Sequence, residues 1–148
     1  MDLILWRHAE AEDGIPDQGR VLTAKGHKQA AKTAAFLRQH LPDDARILVS
    51  PATRALQTVA ALTEHYTLAP TIAPGATAQA VLHAARWPDA GGTVLIVGHQ
   101  PTLGEVASQL LGCEGGSLGI KKGALWWFNL RDGASLATLR LVIAPDML

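Results

Sequence analysis

A three-layer α/β domain with a mostly parallel central sheet is predicted for this 148-residue chain by three observations. Short apolar runs, Leu3-Ile4-Leu5-Trp6, Ile47-Leu48-Val49 and Val94-Leu95-Ile96-Val97, are continuous rather than alternating, as in strands covered on both faces. Helical patterns separate them, so the order reads β-α-β-α-(α)-β-α-β-β, the signature of crossover units. The C-terminal third carries two β-prone runs around Arg131-Asp132-Gly133, a hairpin that adds at least one antiparallel edge strand.

The first strand ends abruptly in Arg7-His8. Ala9 to Gln18 is polar, contains Gly14 and Pro16, and reads as a loop. Thr23 is the expected N-cap of a helix running to about Leu41, with Ala30, Ala34, Leu37 and Leu41 on its apolar side and Pro42 stopping it. Arg46-Ile47-Leu48-Val49 is the second strand. Ser50 then reads as an N-cap and Pro51 as the first helical residue, with the helix ending near His65. Tyr66 to Gly75 reads as loop and Ala76 to about Arg86 as a short helix. Thr93 to Val97 is the clearest strand. Gly98-His99-Gln100-Pro101-Thr102 turns out of it into a helix that Gly112 closes. Cys113 to Lys122 is a glycine-rich loop, followed by strands over Ala124 to Leu130 and Leu136 to Ala144. The Leu139/Leu141/Ile143 alternation predicts an edge strand with one wet face.

The length suits one domain, and a hydrophobic content of 48% suits a packed core. Thirteen basic residues balance thirteen acidic ones, so no global field draws the chain to nucleic acid or to an anionic membrane. No apolar run reaches membrane-spanning length, and Met1-Asp2 lacks the basic start of a signal peptide. Cys113 is the single cysteine, which excludes an internal disulfide and fits the expected cytoplasmic location. A monomer is the expected state.

Each of the three apolar strands ends in a cation or a potential one. The first gives Arg7-His8, the second leads to Arg54 in the first turn of its helix, and the third gives His99. In open α/β sheets, ligands bind beyond the carboxyl ends of the strands. Helix starts there add free N–H groups and a positive dipole end. Taken singly, Arg54 would pair with a surface carboxylate and His99 would cap its helix. Taken together, the three ends predict one crevice for a phosphate or phosphoryl group, held by Arg7, Arg54, His99 and main-chain donors.

These motifs carry a resemblance. Arg7-His8, Ser50-Pro51-x-x-Arg54-Ala55-x-Gln57-Thr58 and Gly98-His99-x-Pro101 resemble the histidine phosphatase superfamily, the group that includes phosphoglycerate mutases and acid phosphatases. The short chain and its Asp17-x-x-Arg20-x-Leu22-Thr23-x-x-Gly26 segment are most similar to the small phosphohistidine phosphatases of the SixA type. The first motif of the superfamily is usually Arg-His-Gly; Ala9 stands at the glycine here, which is tolerable where the backbone does not need positive φ.

The resemblance implies a phosphoglycerate mutase-like fold and a reaction through phospho-His8. His8 would take the phosphoryl group and pass it to water, with its other ring nitrogen donating to a carbonyl. Arg7, Arg54 and a protonated His99 would hold the equatorial oxygens, with Arg20 a further phosphate contact. No metal and no other cofactor is implied, because fixed cations neutralise the charge and would repel a metal ion.

The leaving group is the discriminating feature. Superfamily members that cleave esters usually carry a Glu after the second helix. From Tyr66 to Pro88 this chain has no Asp or Glu. An alkoxide leaves badly without a proton, whereas an imidazole protonates near neutral pH, at about 6.5 when unperturbed. The gap therefore favours phosphohistidine on a protein, such as a phosphotransfer domain, unless Glu10, Glu12, Asp13 or Asp17 supplies the acid from the first loop. The rival readings are a small-molecule phosphomonoesterase and a non-catalytic phosphoprotein-binding module.

His27, His40, His65 and His83 read as surface residues, Trp6, Trp126 and Trp127 as packing, Trp87 as a candidate for the site rim, and Lys121-Lys122 as a solvated pair, with steering of an acidic partner as the alternative.

Overall fold

The apolar run at the N-terminus forms β1 (Asp2–Arg7), whose Leu3, Ile4, Leu5 and Trp6 are fully buried. The computed structural model describes all 148 residues, Met1–Leu148. The remaining elements are α1 (Ala24–His40), β2 (Arg46–Val49), α2 (Thr53–Ala60), β3 (Thr67–Leu68), α3 (Ala78–Ala85), β4 (Thr93–Gly98), α4 (Thr102–Leu110), β5 (Leu125–Asn129) and β6 (Thr138–Ile143). They build one six-stranded sheet in the order β3-β2-β4-β1-β5-β6. β1, β2, β3 and β4 run parallel, while β5 and β6 add antiparallel strands at one side.

Strand alternation separates two cores. Leu3, Leu5, Val94 and Ile96 meet Val81 and Ala85 of α3 and Leu103 and Val106 of α4 on one face. Ile4, Trp6, Leu95 and Val97 meet Ala34 and Leu37 of α1 and Ala55 and Val59 of α2 on the other. The result is the expected three-layer α/β sandwich. No helix of the chain is long and apolar enough to cross a membrane.

Several local expectations change. The segment expected to be loop at Tyr66 to Gly75 contains β3 and a 3₁₀ turn at Pro70–Ile72. Both residues of β3 are exposed, so no hydrophobic pattern marks it. α2 ends at Ala60 rather than near His65. Ser50 is not its N-cap; Ala52 is, although the Ser50 hydroxyl accepts the Ala52 N–H at 3.2 Å. In β6, the pairing skips Arg140, which interrupts the alternation and leaves Leu139 exposed while Leu141 and Ile143 are half-buried. Arg140 bonds the Asp2 carboxylate at 2.7 Å and lies over the Trp127 ring.

α1 begins as expected. The Thr23 hydroxyl accepts the Gly26 N–H at 2.9 Å and donates to the Glu10 carboxylate at 2.8 Å. This ties the helix to the loop that follows β1. The approach is close: a Cβ on Gly26 would stand 2.0 Å from the Glu10 carbonyl oxygen. The same loop is pinned by an antiparallel bridge between Ala11 and Leu22.

Candidate active site

Parallel pairing of Arg7 with Gly98 and of Val49 with Val97 aligns the carboxyl ends of β1, β4 and β2. β4 lies between β1 and β2, so the turns after all three open on one crevice. Main-chain bonds fix the strand ends. The His8 N–H donates to the Gly98 carbonyl at 3.0 Å, and the Ser50 N–H to the Val97 carbonyl at 3.1 Å. Gly123 donates to the carbonyls of both Arg7 and His8 at 3.2 Å.

Arg7, His8, Arg54 and His99 converge as the sequence predicts. His8, Arg54 and His99 are buried, at 7%, 4% and 4% exposure. The His8 and His99 rings lie 5.1 Å apart, centroid to centroid. His8 Nδ1 donates to its neighbour's carbonyl, that of Ala9, at 2.7 Å. Its Nε2 faces the Arg54 Nε–H at 3.4 Å. Together these contacts put the ring proton on Nδ1 and leave the Nε2 lone pair free for attack on phosphorus. Arg86 is the one non-glycine residue with positive φ, so Ala9 needs none of a glycine's freedom. Its N–H instead donates to the Thr58 hydroxyl at 3.0 Å, which anchors the His8 turn to α2.

Burial and the adjacent Arg54 and Arg7 cations lower the His8 pKa to about 4. The His8 imidazole is thus neutral at physiological pH. Burial, His8 and Arg54 lower the His99 pKa to about 3. In the free protein the His99 imidazole is therefore neutral, whereas the sequence leads to an expectation of a protonated His99 against a bound phosphoryl group. His99 Nε2 bonds the Ser50 hydroxyl at 2.7 Å, and its Nδ1 makes no hydrogen bond within the protein. The Ser50 hydroxyl accepts the Ala52 N–H and keeps both its proton and a second lone pair for Nε2. When Ser50 donates to Nε2, the His99 proton sits on Nδ1 and is free to donate to a phosphoryl oxygen.

Arg7 donates to the Ile120 carbonyl at 2.7 Å, and its buried Nε makes no bond within the protein. Arg54 is engaged from the first loop, donating to the Asp17 carbonyl at 2.9 Å and to its carboxylate at 3.2 Å. Arg20 does not join the buried group directly. It donates to the other Asp17 carboxylate oxygen at 3.0 Å and to the Glu12 carbonyl at 2.7 Å. The hydrogen bond from Arg20 and those from Arg54 hold the Asp17 carboxyl below its usual range. Asp17 therefore bridges two arginines and occupies donors that a bound phosphoryl group would take. No group of three or more His, Cys, Asp or Glu side chains is gathered for a metal ion.

The sequence does not reveal that Asp17 bridges the two arginines or that Ser50 contacts His99. The available signal was position: Ser50 opens the Ser-Pro-x-x-Arg motif, and Asp17 lies three residues before Arg20. Trp87 is not at the rim. It precedes β4 and packs against the α3/α4 core, at the end of the sheet opposite the site. His27, His40, His65 and His83 are exposed. Glu10 is held by Thr23.

Comparison with known proteins identifies the family and the fold. The family model described as the histidine phosphatase superfamily (branch 1) matches residues 3–77. A Haemophilus influenzae protein described as a phosphohistidine phosphatase SixA homolog is 34% identical over 128 residues, covering 76% of this chain and 78% of its own. The structure of the protein histidine phosphatase SixA complexed with tungstate superposes with a TM-score of 0.85 at 23% identity, covering 99% of both chains. A phosphoserine phosphatase from Entamoeba histolytica superposes with a TM-score of 0.74 at 18% identity, covering 99% of this chain and 98% of its own. At those identities the two superpositions establish a shared phosphoglycerate mutase-like fold.

Proposed function

The chain belongs to the histidine phosphatase superfamily, and from that premise we propose that it is a phosphatase that hydrolyses phosphohistidine on another protein through a phospho-His8 intermediate. The observation that carries the choice of substrate is the state of the one carboxylate bonded to the site's cations. Asp17 accepts from Arg20 and Arg54 and is held in its ionised form. It has no proton to give an alkoxide. The segment from Tyr66 to Pro88 reaches the start of α4, where the Ala76 carbonyl accepts the Thr102 hydroxyl at 2.6 Å, and it brings no carboxyl group. A leaving imidazole takes its proton from water near neutral pH and needs no enzymic acid.

The steps follow from the geometry. The His8 Nε2 lone pair forms the new N–P bond as the substrate's N–P bond breaks, and the departing imidazole is protonated by solvent. Arg7, Arg54 and His99 Nδ1–H hold the three equatorial oxygens, where transition-state charge is spread. Water then attacks phosphorus, the bond to His8 breaks, and inorganic phosphate leaves. Because Arg54 is bonded to Asp17 in the free protein, binding exchanges those bonds for phosphoryl oxygens.

Hydrolysis of a small phosphate ester is the second reading. It is favoured by the likeness to the phosphoserine phosphatase fold, and it requires Asp17 to leave Arg54 and take up a proton for the alkoxide.

The test is phosphate release from a phosphorylated phosphotransfer domain, with an aryl phosphate measured alongside. Wild-type protein is expected to release phosphate rapidly from the domain and slowly from the ester, and His8→Ala to release none from either. Asp17→Asn is expected to retain turnover of the domain. Rapid ester cleavage that Asp17→Asn abolishes, with no action on the domain, would replace the proposed function with the second reading.

A further inference from the structure

Beside the catalytic crevice lies an open groove of about 620 Å³, with Arg7 belonging to both. Lys25, Lys28 and Lys32 of α1 form one wall. Their spacing of three and four residues puts them on one helix face, over about 10 Å. Lys121 and Lys122 also line it. Two carboxylates face this charge. Asp146 pairs with Lys121 at 3.3 Å, and Glu10 is bonded to the Thr23 hydroxyl. The groove therefore carries a strong positive excess on a chain whose formal net charge is zero.

Helix stability does not explain Lys25. The first turn of α1 holds Lys25 and no acidic residue, although the positive end of the helix dipole favours acids there. Apart from the Pro145 ring the groove's apolar surface comes from the stems of charged and amide side chains, and it has no aromatic side chain. It offers separated cations, and at the floor Arg7 with an unpartnered, buried Nε.

We propose that this groove docks an acidic helix face of the phosphohistidine-bearing protein, with carboxylates one and two turns from the phosphorylated residue. The proposal rests on the function proposed above and names how the protein substrate is chosen. Carboxylates repeating every three to four residues along a partner helix match the repeat of Lys25, Lys28 and Lys32. The phosphoryl group then enters the adjoining crevice past Arg7. Charge of this kind acts mainly on encounter rate and partner choice, and salt screens it.

The test compares two substrates with the same reactive bond, a phosphorylated phosphotransfer domain and free phosphohistidine. The variant is Lys25→Gln/Lys28→Gln/Lys32→Gln, three exposed changes to a good helix former. For the domain, kcat/KM is expected to fall by at least about tenfold at low salt and to lose most of its salt dependence. For free phosphohistidine it is expected to stay at the wild-type value, which also reports intact folding. An unchanged rate on the domain overturns the docking groove and leaves the proposed function standing. An equal fall on both substrates also overturns it, because the lysines would then serve the crevice itself. Wild-type protein that is idle on both substrates overturns the proposed function, and the groove proposal falls with it.

Discussion

Acid should destabilise this protein through the two imidazoles it buries. Burial and neighbouring cations lower His8 to about 4 and His99 to about 3. In the unfolded chain both return to about 6.5. The unfolded chain then takes up protons that the folded chain refuses. Stability is complete above pH 6.5 and is lost progressively as the pH falls toward the folded values. Each imidazole removes about 1.4 kcal/mol per pH unit in that window. Acidification from pH 7 to pH 5 should therefore remove roughly 4 kcal/mol through the pair. That is a large share of a total stability of about 5–15 kcal/mol. Urea denaturation at both pH values measures it, on wild-type protein and on the His8→Gln/His99→Gln variant. The wild type should lose roughly 4 kcal/mol more than the variant, since the other titrating groups cancel in the difference. Equal losses would mean that the two imidazoles are not held neutral by burial, and the account of a neutral nucleophile would fail with them.

Two further outcomes follow from individual contacts. Ser50→Ala removes the partner of His99 Nε2 and should lower kcat/KM about tenfold on protein-bound and free phosphohistidine alike; steady-state rates that match the wild type would show that Ser50 does not orient His99. Gly26→Ala places a methyl group against the Glu10 backbone, and the forced shift should cost about 1–3 kcal/mol and lower Tm by roughly 3–10 °C in a thermal melt.

Much of the fold was legible because its signals are local. The continuous apolar runs of β1 and β4 report burial on both faces, and the Thr23 cap and Pro42 bound α1 within a residue. β3 was not legible because two exposed residues carry no pattern; they pair with β2 only because the chain after α2 returns alongside it. The bulge at Arg140 was hidden for a related reason. It is defined by what β5 pairs with, not by β6 itself.

The residue types, the strand ends that carry them and the missing acid after α2 were determined by the sequence alone. A parallel sheet brings successive carboxyl ends to one edge whatever the details of packing. The tertiary structure decided the charge state of His8 and His99, the bridging of Arg20 and Arg54 by Asp17, the contact of Ser50 with His99, and the placing of α1 with Lys121 and Lys122 along one groove. Those properties depend on through-space distance and on the exclusion of water. Groups tens of residues apart in the chain set both, so no local pattern encodes them.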